Sequence, residues 1–212
     1  VSEVELGVIS HWDSDHTGGV MALNELMGVK QWLVSDAGSI EASGLGEGVE
    51  DCRSSSERHI GGWHISVLGY GTAQGQKIKT YLKRNNRSCV LLLESKGLRV
   101  LLPGDIERLR EMELLSHPQL QQPIDIMIAP HHGSGTSSSA AWVAQLQPHA
   151  IVYSSGYRNR YRHPQAAVRQ RYRRAGSAEW MTSRDGAITI EQDRDGAWRA
   201  TGYRQSDRRY WR

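Results

Sequence analysis

SHWDSDHTGG, residues 10–19, places two histidines and two aspartates within six residues and follows them with two glycines. The apolar, β-branched run VELGVIS at 4–10 predicts a strand that ends where this cluster begins. The run VMALNELMGVK at 20–30 repeats apolar side chains at helical spacing, so the cluster is predicted on a strand-to-helix turn. Side chains on such a turn can converge on one point. The alternative is that the aspartates only cap the turn or the helix.

Two further predicted strands end in the same donor types. LRVLLPGD at 98–105 ends with Asp105, and IDIMIAP at 124–130 is followed at once by His131 and His132. Three such ends on one sheet edge offer donors for two cations that share a bridging carboxylate, the arrangement used for in-line phosphoryl displacement. Mixed imidazole and carboxylate donors allow zinc, manganese or iron, and the extra oxygen ligand favours manganese.

Predicted strands alternate with predicted helices along the chain, which is typical of a layered α/β fold with its site at the strand ends. Pro164 and Gly176 frame one helix, and Lys96-Gly97 joins two strands as a hairpin. The segment 37–62 is predicted as a weakly structured connection and 72–86 as a polar one. The other predicted strands are 31–36, 63–70, 88–95, 150–156, 186–192 and 198–204, and the helices are 106–117, 138–147 and 164–176, with Val20, Leu23, Leu26 and Met27 forming the apolar face of the helix at 20–30.

The composition predicts one domain over residues 1–212, forming part of a larger protein: 38% of the 212 residues are hydrophobic and 23% are charged. No run approaches the roughly 18 apolar residues that span a bilayer. Residues 1–149 carry a net charge of −5, whereas 150–212 hold 14 arginines, no lysine and 6 acids. This basic third indicates a polyanionic partner or, alternatively, a solvated arginine-rich surface. Seven tryptophans and eight tyrosines suit stackable ligands, or replace the absent phenylalanine in the core.

HWDSDHTGG, LLPGDIE and APHHGSGTSS together resemble the metallo-β-lactamase superfamily, and specifically the C-terminal domain of the ComEC family of competence DNA-uptake channels. Asp13 stands where the superfamily pattern has a second histidine, and ComEC domains share that substitution. They also resemble this chain in NNRSCVL, in SGYRNRYRHP and in the ending DRRYWR. The resemblance covers nearly the whole chain.

The resemblance implies an αββα sandwich, two divalent metal ions (Mn or Zn) and no small-molecule cofactor. The implied function is degradation of the strand that is not imported during DNA uptake. The implied partners are DNA, single-stranded and read without sequence preference, and the membrane channel portion of the same parent protein. The implied location is the extracytoplasmic, periplasmic face of the bacterial inner membrane. Because the first motif comes only ten residues into the chain, the fold is expected to lack its first strands and helix here.

The resemblance also implies a role for each matched residue. One metal is expected on His11, Asp13 and Asp105, and the second on Asp15, His16, the bridging Asp105 and either His131 or His132. The expected catalytic set is Asp15, His132 and His163, with His163 either positioning the scissile phosphate or protonating the leaving oxygen. The superfamily's third-motif histidine would fall near Asn86, which can offer a carbonyl oxygen as the third-motif ligand. His59 and His64 are expected at the surface or in packing. The expected phosphate and DNA contacts are Ser134, Thr136, Ser137, Asn159, Tyr161, Arg169 and Arg173.

Purely structural roles remain possible for several of these residues. GSGTSSS can be a flexible turn with a helix N-cap, and His163-Pro164 can simply start a helix. Cys52 and Cys89 are too few for a disulfide scaffold and are not spaced as a zinc pair, so the residues allow a pair or two free thiols. Because the resemblance places the domain outside the cytoplasm, it implies a disulfide.

Three functions compete. The first is a metal-dependent DNA phosphodiesterase, favoured by Asp15, His16, Asp105 and the histidine pair. The second is a DNA-guiding module with a degenerate metal site, favoured by Asn86. The third is a metallohydrolase for a small ester or thioester, which has no need of the basic C-terminal third.

Overall fold

The computed structural model describes residues 3–39, 42, 44–71 and 83–206, which form two compact units. The first unit comprises Val1–Leu93 with Pro103–Ile106, and the second comprises Glu94–Leu102 with Glu107–Arg212. Most of the predicted polar connection, 72–82, and the ending DRRYWR lie outside the described residues. The prediction of one domain over 1–212 stays a prediction.

The first unit contains a parallel sheet of three strands in the order β1-β2-β3. Its core contains Ile9, Val34 and Trp32, which come from two neighbouring strands. Gly7 leaves room for the Trp32 ring, because a Cβ at position 7 would lie 2.4 Å from a ring carbon. Burial of such side chains drives the sheet together. Its elements are β1 (Val4–Ile9), α1 (Ser14–Thr17), α2 (Val20–Met27), β2 (Val29–Val34) and β3 (Val49–Asp51).

Helix α2 forms where it was predicted, and Val20 of its apolar face packs against the core of the sheet. None of its residues is buried, and Leu26 is 83% exposed. The helix is tethered by the Trp32 Nε1–H, which donates to Asn24 Oδ1 at 3.3 Å. Periodicity therefore located the helix correctly, and much of its apolar face is exposed among the described residues.

The expectation of weak structure over 37–62 is also wrong, because the segment contains β3 and β4 (Ser56–Ile60). Strand β4 pairs antiparallel with β5 (Trp63–Val67), and the turn between them is Gly61-Gly62 with φ of 56° and 83°. Two glycines between alternating strands are typical of a type I′ hairpin, a signal that the prediction overlooked. Within the same unit Cys52 and Cys89 are joined as a disulfide, with their Cα atoms 5.4 Å apart.

The second unit contains parallel strand pairs in the order β7-β8-β9-β10 and a separate antiparallel pair, β11 with β12. Strand β10 was not predicted because it has only four residues, one of them the charged Glu179. The turn that leads into β7 is Lys96-Gly97, with φ of 47° and 81°, as the predicted hairpin requires. The elements are β6 (Leu91–Ser95, which begins in the first unit), β7 (Leu98–Leu102), α3 (Arg108–Leu114), β8 (Ile126–Ile128), α4 (Ala140–Leu146), β9 (Ala150–Tyr153), α5 (Ala166–Arg174), β10 (Ala178–Met181), α6 (Thr182–Asp185), β11 (Ile188–Gln192), β12 (Trp198–Gly202) and α7 (Tyr203–Ser206).

Glu111 organises the interior of the second unit. Its carboxylate is fully buried and accepts the backbone N–H groups of Ser138 and Ser139 at the start of α4. Burial raises the pKa of Glu111 above its usual range despite these hydrogen bonds. Across 3–39, 42, 44–71 and 83–206, no helix has the length and apolar character needed to cross a membrane.

Candidate metal centre

The first predicted motif folds as a tight turn between β1 and α1. Ser10 follows the last residue of β1, and its carbonyl accepts the Cys89 N–H at 2.9 Å. Its hydroxyl lies 3.2 Å from Nδ1 of His11 and 3.0 Å from Nδ1 of His16. Because one hydroxyl oxygen can accept from both Nδ1–H groups, both rings can present Nε2 as the ligand nitrogen.

Asp105 reaches the same turn through a close backbone approach. Gly104 has φ of +59°, and a Cβ on it would lie 2.8 Å from the Ser88 Cβ and 3.0 Å from the Ser10 Cβ. The Asp105 N–H donates to Ser88 Oγ at 3.1 Å, and Asp105 is 5% exposed. Only glycine fits at position 104, and it brings the buried carboxylate against the histidine turn.

The two oxygens of Asp105 face two imidazoles. Oδ1 lies 3.3 Å from His16 Nε2, and Oδ2 lies 3.9 Å from His11 Nε2. Ligand atoms of His11, His16 and Asp105 all lie within 4.8 Å of one another. Two ligands each about 2.1 Å from a tetrahedral cation stand about 3.4 Å apart, so these separations fit a bound divalent metal.

His11 gives an independent test of that fit. Its side chain is fully buried, and Nε2 makes no hydrogen bond within the described part of the chain although it faces carboxylate oxygens. Burial lowers the pKa of His11 below its ordinary value, and nearby His16 lowers it further. A neutral imidazole whose lone pair faces carboxylates is stabilised by a cation between them, which is the chemistry of a metal site.

Asp13 and Asp15 complete the acidic side of the turn. Asp13 occupies the N-cap position of α1 but caps nothing with its side chain, so the capping alternative is wrong for it. Its Oδ2 lies 3.4 Å from His11 Nε2, and its Oδ1 accepts from Arg84 at 3.2 Å. Asp15 is more exposed and lies 3.9 Å from His16 Nε2. Asp105 is not a cap either, since Glu107 holds the N-cap position of α3.

His131 and His132 occupy a strained turn in the second unit. Both have left-handed backbones, with φ of 49° and 55°, and Gly133 follows with φ of 83°. Such runs of non-glycine residues are costly and concentrate at functional sites. His132 Nδ1 lies 2.7 Å from the Ser154 carbonyl and must donate to it, which leaves Nε2 as the ligand nitrogen. This favours His132 over His131 as a metal ligand.

His131 has different neighbours. Its Nδ1 lies 3.6 Å from Glu107 Oε1 and 3.4 Å from Thr136 Oγ1, and its ring centroid lies 5.8 Å from that of His163. Glu107 was not predicted as a functional residue, although it comes two positions after Asp105 in LLPGDIE. The assignment of either histidine to the same centre as Asp105 stays a prediction.

Several predicted phosphate contacts already hold the polypeptide in place. Ser137 is buried and donates to the Pro130 carbonyl, and the Thr136 hydroxyl donates to Glu107. The Ser134 hydroxyl lies 3.0 Å from that of Thr136. Asn159 bridges its own loop: Nδ2 donates to the His163 carbonyl at 2.7 Å and Oδ1 accepts the His163 N–H at 2.8 Å.

Arg169 and Arg173 share a face of α5, as predicted, but both contact Glu179. Burial raises the pKa of Glu179, and the two guanidinium groups outweigh it so that the net shift is downward. A phosphate would therefore compete with Glu179 for both arginines. Their role as DNA contacts stays a prediction.

Asn86 lies buried in a 3-10 turn, Arg84–Arg87, within the first unit. His59 and His64 face each other across the β4–β5 hairpin with ring centroids 4.8 Å apart. This matches the packing role expected for the pair. Ser10, Ser88 and Arg84 are site residues that the sequence reading missed, and Ser10 immediately precedes the first motif.

Comparison with known proteins identifies the family. The profile of the metallo-beta-lactamase superfamily matches residues 8–156, which include both histidine motifs and Asp105. The chain belongs to the metallo-β-lactamase superfamily. The fold predicted from the three strand-end motifs is thereby confirmed. The superfamily consists mostly of divalent-metal hydrolases, and the histidine and aspartate donors of the first unit are of the kind that its members use.

Curated relatives within the superfamily are similar over most of this chain. The chain is 31% identical over 189 residues to competence protein ComA of Neisseria gonorrhoeae, 26% identical over 198 residues to ComE operon protein 3 of Bacillus subtilis, and 28% identical over 190 residues to recombination protein 2 of Haemophilus influenzae. These alignments cover 89%, 89% and 88% of this chain and 25%, 24% and 22% of the relatives. The chain thus spans about a quarter of the length of these relatives.

Solved structures agree on the fold. The diiron β-hydroxylase CmlA of Streptomyces venezuelae aligns with a TM-score of 0.54 at 15% identity, covering 85% of this chain and 44% of its own. The metallo hydrolase Igni18 of Ignicoccus hospitalis aligns with a TM-score of 0.53 at 13% identity, covering 94% of this chain and 80% of its own. At these identities the likeness shows the superfamily fold alone.

Proposed function

We propose that this chain is a divalent-metal-dependent phosphodiesterase that acts on DNA during competence, degrading the strand that is not imported. The single observation that carries the proposal is the buried His11 imidazole, whose Nε2 faces carboxylate oxygens of Asp13 and Asp105. The names of two similar proteins, a competence protein and a recombination protein, support DNA as the substrate.

His11, His16 and Asp105 would hold the metal, and Asp13 and Asp15 would add oxygen ligands. We propose two ions, manganese or zinc, and Asp105 would help to hold both. A divalent cation supplies a Lewis acid that stabilises charge on a phosphoryl oxygen and favours ionisation of water. Ser10 fixes the orientation of both imidazoles, and Ser88 holds the backbone of Asp105 in place. His132, oriented by the Ser154 carbonyl, would serve as a further nitrogen ligand, and His163 as the proton donor.

We further propose that the parent protein is a membrane channel of the ComEC family and that this domain faces the periplasm. The Cys52–Cys89 disulfide supports an oxidising compartment, because disulfides are rare where the cytosol keeps thiols reduced. The relatives are about four times longer than this chain, which leaves room for the channel portion in a protein of their length.

The competing function is a DNA-guiding module that binds metal weakly and cuts nothing. Asn86 favours it, because a carboxamide oxygen at the third-motif position is a weaker ligand than an imidazole. The two functions predict different outcomes when the metal donors are removed.

The deciding experiment is cleavage of labelled single- and double-stranded DNA by the chain with manganese, with zinc or with a chelator. The Asp105→Asn variant tests the donor set, and Asp195→Asn is the matched control because Asp195 is an exposed aspartate in the β11–β12 turn. The phosphodiesterase proposal predicts metal-dependent cutting that Asp105→Asn loses and Asp195→Asn keeps. A folded, metal-loaded chain that binds DNA without cutting it would establish the guiding module instead.

A further inference from the structure

The loop between β9 and α5 carries exposed arginines and tyrosines that the metal chemistry does not use. In its sequence, GYRNRYRH at 156–163, arginine stands at 158, 160 and 162, and all three are exposed. Tyr157 is 72% exposed and Tyr161 is 57% exposed. The loop and Ser183 line a pocket of about 490 Å³, and none of the lining residues is acidic.

Planar groups in this loop are already stacked on one another. The guanidinium carbon of Arg160 lies 4.6 Å from the centre of the Tyr161 ring, and the Tyr161 ring stacks on His163 with an interplanar angle of 17°. The guanidinium carbon of Arg158 lies 5.2 Å from the centre of the Tyr157 ring. With 72% of its surface exposed, Tyr157 retains area on which another flat ring can pack.

The loop is held in this conformation before any ligand arrives. Asn159 ties its two ends together through the Gly156 and His163 carbonyls, and Gln165 Nε2 donates to the Tyr161 carbonyl at 2.8 Å. The Ser155 N–H donates to Thr182 Oγ1, which fixes the start of the loop. A preorganised loop loses little conformational entropy on binding, so stacking on its rings yields net affinity.

We propose that Tyr157, with Arg158, is a nucleobase-stacking platform and that Arg160 and Arg162 contact the phosphates of the same single strand. Exposed aromatic rings beside arginines bind single strands without reading sequence, because every base has a flat face. The bases of a duplex are stacked on each other and do not reach such a ring. This assignment deepens the proposed function by naming the residues that would bind a single strand, and it rests on that function only for the identity of the substrate as DNA.

The test measures DNA binding by the 212-residue chain in a chelator, so that neither cleavage nor metal affects the result. Fluorescence anisotropy compares a single-stranded oligothymidylate of about twelve nucleotides, an abasic strand of the same charge and a duplex. Tyr157→Ala should weaken binding of the oligothymidylate about tenfold and leave the abasic strand unchanged. Tyr157→Trp should bind the oligothymidylate as tightly as the unaltered chain does. Tyr203→Ala, at another exposed tyrosine, should also leave this binding unchanged.

Arg160→Ala serves as the charge probe. This variant should bind the oligothymidylate and the abasic strand more weakly by the same factor, and the salt dependence of both affinities should fall. The proposal is overturned if Tyr157→Ala binds the oligothymidylate as tightly as Tyr203→Ala does, or if the unaltered chain prefers the duplex. It is also overturned if vesicles of anionic phosphatidylglycerol, and no DNA strand, respond to Tyr157→Ala, since the loop would then recognise a lipid surface. If the unaltered chain does not cut DNA with any metal but still shows this binding pattern, the phosphodiesterase proposal is refuted and the stacking proposal stands.

Discussion

Buried carboxylates in the two units are contacted by different kinds of groups. In the second unit Glu111 accepts two backbone N–H groups, Glu179 accepts two arginines, and Asp185 accepts Arg184 and the Met181 N–H. In the first unit Asp105 is as deeply buried but faces two imidazoles, one of them on a fully buried histidine.

The difference lies in the neighbouring groups: backbone N–H and guanidinium donors surround the carboxylates of the second unit, whereas imidazole nitrogens of the kind that bind metals lie next to Asp105. A buried carboxylate that receives hydrogen bonds from its own chain is compensated, and its removal should cost stability. A buried carboxylate beside two imidazole nitrogens can bind a cation together with them, and its removal should cost metal binding and activity more than folding. Each prediction below changes one side of this comparison.

The largest effect is expected from Asp105→Asn. Loss of the carboxylate that faces both His11 and His16 should lower bound metal and the rate of DNA hydrolysis by at least about a hundredfold, because an amide is a poor metal ligand. Metal content after dialysis, measured by mass spectrometry, and the cleavage assay both check this. Retention of metal equal to that of Asp195→Asn would show that Asp105 is not a ligand.

Glu111→Ala should damage folding and leave the metal centre intact. The backbone N–H groups of Ser138 and Ser139 would lose their buried acceptor at the start of α4, which should lower the free energy of unfolding by about 2–4 kcal/mol. Urea unfolding measures the loss, and metal content per folded molecule should not change. An unaltered unfolding midpoint would mean that this carboxylate does not stabilise the fold.

Ser10→Ala should have an intermediate effect confined to the first unit. Without the hydroxyl next to both Nδ1 atoms, the two imidazoles lose their fixed orientation, and metal affinity should fall about 10- to 100-fold. Titration with zinc against a competing chelator gives the affinity. Ser116→Ala, at an exposed serine, is the matched control, and equal affinities for the two variants would exclude an orienting role for Ser10.

The smallest effect is the pH dependence that Asp185 confers. Hydrogen bonds from Arg184 lower the pKa of this carboxyl below its ordinary value of 3.8, so its contribution to stability is present above that pH. The contribution, about 1 kcal/mol, should disappear as the pH falls through the lowered pKa. Denaturant unfolding at several pH values should show the wild type losing its advantage over Asp185→Asn only below about pH 4. A constant difference at all pH values would contradict the pairing.

The fold and the donor turn could be predicted because their signals are local. A β-branched run followed by His-x-Asp-x-Asp-His defines a strand and its end within a dozen residues, and Pro164 and Gly176 frame α5 where it forms. Strand β10 and the first strand of the β4–β5 hairpin were missed because they have four and five residues and mixed polarity, so neighbouring strands determine them more than composition does.

The finer arrangement of the site depends on tertiary contacts that no local pattern encodes. The left-handed backbones at His131 and His132 turn one ring toward the Ser154 carbonyl, and spacing alone could not choose between the two histidines. The same holds for Asp13, which has the sequence position of a helix cap but whose Oδ2 lies 3.4 Å from His11 Nε2. Glu179 could not be recognised from sequence as the partner of Arg169, because the pairing joins α5 to β10.

The central claim is that the first unit holds a divalent cation between His11, His16 and Asp105. The most direct test is an anomalous difference map from a crystal of the chain grown with manganese. The account predicts a peak about 2.1 Å from His11 Nε2, from His16 Nε2 and from an Asp105 oxygen. A map that shows manganese only elsewhere, or none with these three side chains ordered, would contradict it.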